Sequence, residues 1–178
     1  MKSQYIDNQK FMDSLTEYKK KVEECKNENK PKPKIPDYIG ECFYKLANNL
    51  SKRPNFCLYS YKDEMVSDAI ENCLLYMDNF DPRNAKQNPF GYFTKICWYA
   101  FLRRIAKEKK QQYIKYKATE NFGVLDEEEL LELGDGTIAQ LQIYDNMYDF
   151  ILEYEDSMEK KKEEVIKKKK GLEEFLED

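Results

Sequence analysis

Asn88-Pro89-Phe90-Gly91-Tyr92-Phe93-Thr94-Lys95-Ile96-Cys97-Trp98-Tyr99-Ala100-Phe101-Leu102-Arg103-Arg104-Ile105-Ala106-Lys107-Glu108-Lys109-Lys110 is the stretch on which the reading of the fold turns. Asn followed by Pro starts a helix: the Asn side chain caps free backbone amides, and Pro is tolerated at the first helical position. Phe90, Phe93, Cys97, Ala100, Phe101 and Ile105 then recur at helical spacing, which predicts an amphipathic helix running to about Lys115. Its second half is basic, and Tyr92, Trp98, Tyr99, Tyr113 and Tyr116 lead into that basic face. A merely solvated helix does not need this continuity. Basic side chains attract phosphates, and neighbouring rings stack on unpaired bases.

Toward the N-terminus the same period recurs. Met65, Ala69, Cys73 and Met77 form one stripe of a helix over 62–79, and Val66, Ile70 and Leu74 form a second. Such a width suits two neighbours, with Asp63, Glu64, Asp68 and Glu71 left as a solvated acidic edge. Before it, Ile39, Phe43, Leu46, Ala47 and Leu50 line one face of a helix that starts near Pro36-Asp37 and stops before Pro54. Residues 3–25 form another amphipathic pattern, with Tyr5, Phe11, Leu15, Tyr18 and Val22 near one face. The Pro-Lys alternation of 29–34 then reads as an extended linker. The first 34 residues are therefore expected as a flexible helical arm, with a docked helix the open alternative.

Toward the C-terminus, residues 121–136 form an acidic, Gly-flanked connector. A helical pattern follows with Ile138, Leu141, Ile143, Tyr144, Met147, Phe150, Ile151 and Tyr154. It passes into a Lys/Glu-rich tether that ends at Lys170 and has almost no apolar face, so it is expected to be weakly helical or mobile. The last eight residues, 171–178, set Leu172, Phe175 and Leu176 among acids, the composition of a short docking motif.

Composition narrows the function classes. The 178-residue chain is 41% hydrophobic and 36% charged, with only 6 Gly and 6 Pro, which favours long helices around a modest core. It contains no His, which removes His-based metal sites and Ser-His-Asp chemistry. Five scattered cysteines without a C-x-x-C pair suggest reduced thiols in the cytoplasm. No apolar run reaches membrane-spanning length, and residues 1–13 lack the apolar segment of a secretion signal. The net charge of −4 argues against a generic nucleic-acid coat, but basic 103–117 and acidic 126–135 are segregated.

Leu50-Ser51-Lys52-Arg53, Lys62-Asp63-Glu64-Met65, Asp68-Ala69-Ile70-Glu71, Asn79-Phe80-Asp81, Asn88-Pro89, Tyr92 and Ala100-Phe101-x-x-Arg104-Ile105-x-Lys107-Glu108 follow one another in a fairly specific order and spacing. Over roughly 35–117 this order resembles the T-even-type phage late-transcription sigma factor family, divergent relatives of region 2 of bacterial sigma factors. The resemblance implies an all-α fold: a compact sigma-region-2-like core over 35–120, with helical extensions on either side. It implies that Glu64, Asp68 and Glu71 face the clamp helices of the largest subunit of a bacterial RNA polymerase core. It implies that Phe80 and Tyr92 line a pocket for a flipped base of an A/T-rich −10-like element, and that Tyr99, Leu102 and Arg103 face the upstream edge of that element. Arg83, Trp98, Arg104 and Lys107 complete the expected DNA-binding set. Leu172, Phe175 and Leu176 match the family's tail, which binds a phage sliding clamp.

The sequence also departs from the pattern. Lys95 and Ile96 stand where ordinary sigma factors carry a Trp pair, Ser67-Asp68 replaces a Gln-Glu pair, and one extra residue separates Phe80 from Tyr92. No helix-turn-helix pattern is evident after Gly123. The expectation is a non-enzymatic sigma factor in the cytoplasm of an infected bacterium, binding polymerase, promoter DNA and a sliding clamp, with a phage co-activator as a further partner and no cofactor, metal or membrane. Two alternatives stay open: a nucleic-acid adaptor without polymerase docking, and a metal-dependent nuclease using Asp126, Glu127, Glu128 and Glu129.

Overall fold

The computed structural model describes residues 6–82, 88–121 and 137–177; the side chains at 121, 137–141, 144 and 168–177 lie outside that description. Among the described residues the chain is all-helical, without strands: α1 (Asn8–Asn27), α2 (Asp37–Ser51), α3 (Lys62–Tyr76) with a 3-10 turn at Met77–Asn79, α4 (Pro89–Asn121) and α5 (Thr137–Glu177). Two compact units divide at residue 106, so α4 contributes its first half to one and its remainder to the other.

Local chemistry explains the helix ends. Asp7 caps α1 by accepting from the amides of Gln9 and Lys10 at 3.0 and 3.1 Å. At the other end Asn29 adopts φ 53°, a left-handed conformation that Asn tolerates, and the Lys30 amide reaches back to the Cys25 carbonyl at 2.8 Å. Pro36 precedes α2, where its missing N–H leaves no helical bond unmade. Asn88 caps α4 as expected, accepting from the Phe90 amide at 2.9 Å.

The first unit closes around Phe93. This buried ring meets Phe43 of α2 at 4.7 Å, Phe11 of α1 at 5.6 Å and Phe80, just past the 3-10 turn, at 5.6 Å. Each such aromatic pair adds ~0.5–1.5 kcal/mol beyond the area it buries. The face of α2 read from sequence is buried throughout, as are Met65, Ala69, Cys73 and Met77 of α3. Phe56, in the turn after α2, is buried edge-on against Phe101 at 5.0 Å and Trp98 at 4.9 Å.

The N-terminal segment is no flexible arm. Phe11, Leu15, Tyr18 and Val22 belong to the same buried cluster as α2, α3 and α4. Lys19 of α1 also donates to the carbonyls of Asp78 and Phe80, satisfying acceptors left free where the 3-10 turn ends. Among the described residues the core reaches back to Ile6, and a boundary at residue 34 would cut through it.

The second unit, 107–178, contains a helical pairing. Tyr113 stacks on Tyr154 at 4.6 Å, and Tyr116 meets Phe150 edge-on at 5.4 Å. The Tyr113 hydroxyl donates to Glu155 at 2.8 Å and Lys117 pairs with the same carboxylate at 3.3 Å, which together hold Glu155 below the usual carboxylate range. Met147 and Ile151 are buried. The Lys/Glu-rich segment continues α5 as helix, with i,i+4 pairs such as Lys160–Asp156 on its surface. The 126–135 acidic run, Arg83, and the side chains of Leu172, Phe175 and Leu176 lie outside the described residues.

Truncating Phe11 separates a docked α1 from a loose arm. Phe11→Ala should cost ~3–5 kcal/mol in urea-induced unfolding, as for other buried aromatics. A shift within about 0.5 kcal/mol, the usual effect of a surface change, would mean that α1 contributes nothing to the core.

Candidate nucleic-acid interface

Helix α4 carries Tyr92, Ile96, Tyr99 and Arg103 at i, i+4, i+7 and i+11, a single stripe beside its buried one. With Lys95 of α4 and Tyr76 of α3, this stripe lines an open pocket of about 310 Å³. Among the described residues the lining consists of three phenols, one aliphatic side chain and two cations, with no carboxylate. Tyr99 and Tyr76 are 60% and 43% exposed, so their rings are accessible without unfolding anything.

The pocket wall is anchored in the core. The Tyr92 ring packs against Phe93 at 5.1 Å and Phe80 at 5.2 Å. Burial, and to a lesser degree the neighbouring Cys73, pushes its phenol up, so it remains a neutral donor, aimed at the Tyr76 carbonyl 3.5 Å away. Behind it, Cys73 of α3 and Cys97 of α4 lie 3.5 Å apart, both fully buried. The hydrogen bond between them, reinforced by burial, pushes the Cys73 thiol far above its ordinary range. These thiols act as small core residues rather than nucleophiles.

Two arginines follow the pocket along α4, and α3 meets them differently. Arg104 makes a bidentate pair with Asp68, Nε and one Nη each 2.6 Å from a carboxylate oxygen, with the side chains only 17% and 28% exposed. Arg103 Nη2 instead donates to the neutral Oδ1 of Asn72 at 2.5 Å.

The structure thus redistributes the residues expected to act. Tyr92, Tyr99 and Arg103 come together at the pocket. Phe80 does not: it is fully buried against Phe93, and its apolar ring is worth more in the core than at the surface. Asp68 and Arg104, expected on two different external surfaces, are engaged with each other. Trp98 leans on Phe56 and Leu102 is exposed, and neither lines the pocket; exposed Lys107 falls in the second unit. Glu64 and Glu71 remain exposed on α3. Tyr76 was not singled out from sequence, and Lys95 and Ile96 were noted only as standing in place of a Trp pair, although the spacing of 92, 96, 99 and 103 marks this stripe.

Among the described residues no group of three Cys, Asp or Glu side chains is placed to hold a metal ion, and no helix is long and apolar enough to cross a membrane. The candidate metal ligands Asp126 to Glu129 lie outside the described residues.

A double-mutant cycle on Asp68→Ala and Arg104→Ala should give a coupling of roughly 0.5–3 kcal/mol in folding stability, as for contacting residues in one hydrogen-bonded network. Additive losses would mean that the pair does not hold α3 to α4. No protein-family model and no curated protein matches the chain, which leaves the geometry of the pocket to carry the functional reading.

Proposed function

We propose that the first unit captures unpaired DNA bases as part of a sigma factor of the phage late-transcription type, acting without catalysis of its own. The observation that carries this reading is the grouping of Tyr76, Tyr92 and Tyr99 with Lys95 and Arg103 around one accessible pocket. Phenol rings give an unstacked base a surface to stack on, and the cations attract the adjoining phosphates. Unstacking a base step costs a few kcal/mol, which such contacts offset.

Segregated charge supports the wider assignment. Exposed Glu64 and Glu71 on α3 offer an acidic surface to a protein partner, which we take to be the clamp helices of a bacterial RNA polymerase core. Asp68 is left out of that contact because Arg104 occupies it. Promoter DNA would meet the pocket, and the terminal Leu172, Phe175 and Leu176 would dock on a phage sliding clamp. A nucleic-acid adaptor would need the pocket but not the acidic surface, so polymerase binding separates the two readings.

Tyr76→Ala and Tyr99→Ala should each weaken binding of a fluorescent A/T-rich single strand by ~1–3 kcal/mol, the usual value of one base–aromatic stack. Helicity should not change, since neither ring belongs to the buried core. Parental affinity in both variants would remove the base-capture reading.

Reversing charge at Glu64 and Glu71 together, with Asp68 left in place, should abolish co-purification with bacterial core RNA polymerase while circular dichroism stays parental. Retained co-purification would place any polymerase contact elsewhere on the chain.

A further inference from the structure

Two consecutive arginines of α4 receive unlike treatment from one turn of α3, and the difference bears on the pocket. Asp68 and Asn72 are four residues apart, so they project side by side toward α4. Asp68 gives Arg104 a bidentate carboxylate, which neutralises the guanidinium and uses its fork. Asn72 gives Arg103 a single neutral oxygen. That oxygen is oriented from behind: the Asn72 amide nitrogen donates to the Asp68 carbonyl at 2.6 Å, which turns Oδ1 toward Arg103. A carbonyl acceptor restrains a guanidinium without cancelling its charge, and it leaves further N–H donors for a ligand.

We infer that Asn72 is a positioning residue: it holds Arg103 at the edge of the tyrosine pocket with its positive charge intact, so that Arg103 contacts a backbone phosphate of the strand whose base the pocket takes. This rests on the base-capture reading above and adds the identity of the group that aims the cation. It also accounts for an amide at 72, where a carboxylate would tie up a second arginine as Asp68 ties up the first.

The test uses the full chain and a fluorescent A/T-rich single strand, titrated across a range of salt concentrations. For single strands, each phosphate that a protein neutralises adds about 0.7 to the steepness of log affinity against log salt. Arg103→Ala should make the slope shallower by that amount. Asn72→Asp should do the same while keeping parental helicity and thermal stability, because the new carboxylate neutralises Arg103 in place. Asn72→Ala should weaken binding with a smaller change of slope, since the arginine keeps its charge but not its aim, and Asn72→Gln should recover part of the affinity. The double variant Asn72→Asp/Arg103→Ala should bind as weakly as Arg103→Ala alone.

If Asn72→Asp keeps the parental slope and affinity while Arg103→Ala does not, the positioning role is overturned and the pocket reading survives. If the double variant is weaker than Arg103→Ala, the Asp acts by repelling DNA rather than through Arg103, and the role is again overturned. If Arg103→Ala binds as the parent does, or the parent binds no single strand, the base-capture reading fails and this inference falls with it.

Discussion

The first unit depends on one ring. Phe93 stands where α1, α2 and the segment after α3 converge, in contact with Phe11, Phe43 and Phe80. Rings are large and flat, so they settle into tilted and edge-on arrangements that admit few alternatives. Fixing Phe93 fixes the rotation of α4 about its own axis. That rotation turns Tyr92, Ile96, Tyr99 and Arg103 outward together on the adjacent stripe. The pocket is therefore a by-product of core packing, and its tyrosines need no loop to position them.

The seam between α3 and α4 grades from apolar to polar. At its centre Cys73 and Cys97 pack without charge. To one side of it the Tyr92 hydroxyl meets the Tyr76 carbonyl, and to the other come Asn72 with Arg103 and Asp68 with Arg104. A half-buried bidentate pair is strong only when both partners are present, because either one alone is left poorly solvated. Asp68 and Arg104 therefore tie the helices together and set the register in which Asn72 meets Arg103. One arginine is thus paired with a carboxylate while its chain neighbour meets a neutral amide oxygen.

The second unit uses the same means on a smaller scale. Tyr113, Tyr116, Phe150 and Tyr154 pair α4 with α5 through rings, and Glu155 collects a phenol and an ammonium group at the edge. Among the described residues of this unit Met147 and Ile151 are buried, beside ring contacts and their polar tips that join the two helices. Beyond this ladder the described part of α5 carries surface ion pairs of the i,i+4 kind, which individually add little.

Helix positions and most of the buried faces were legible in the sequence because they depend on local period and on capping, although Phe90 of the α4 stripe and Leu74 of the second α3 stripe are exposed. The stripes Ile39–Phe43–Leu46–Leu50 and Met65–Ala69–Cys73–Met77 are core, and Asn88-Pro89 starts α4 as read. The site was only half legible. Tyr92, Tyr99 and Arg103 share a helix, so spacing alone brings them together. Their partners Tyr76 and Asn72 come from α3, and only the packing of α3 on α4 sets them opposite.

Tertiary structure also decided three points that local pattern left open or that the resemblance implied otherwise. It placed α1 inside the core, because Phe93 and its neighbours leave an apolar face that the α1 stripe covers. It buried Phe80, whose sequence surroundings give no sign of Phe93 lying behind it. It spent Asp68 on Arg104, two charges 36 residues apart. A sequence carries the period of each helix, which is a short-range property. Which exposed-looking charge or ring finds a partner is set by rotation and register between helices, and those exist only once the core has closed.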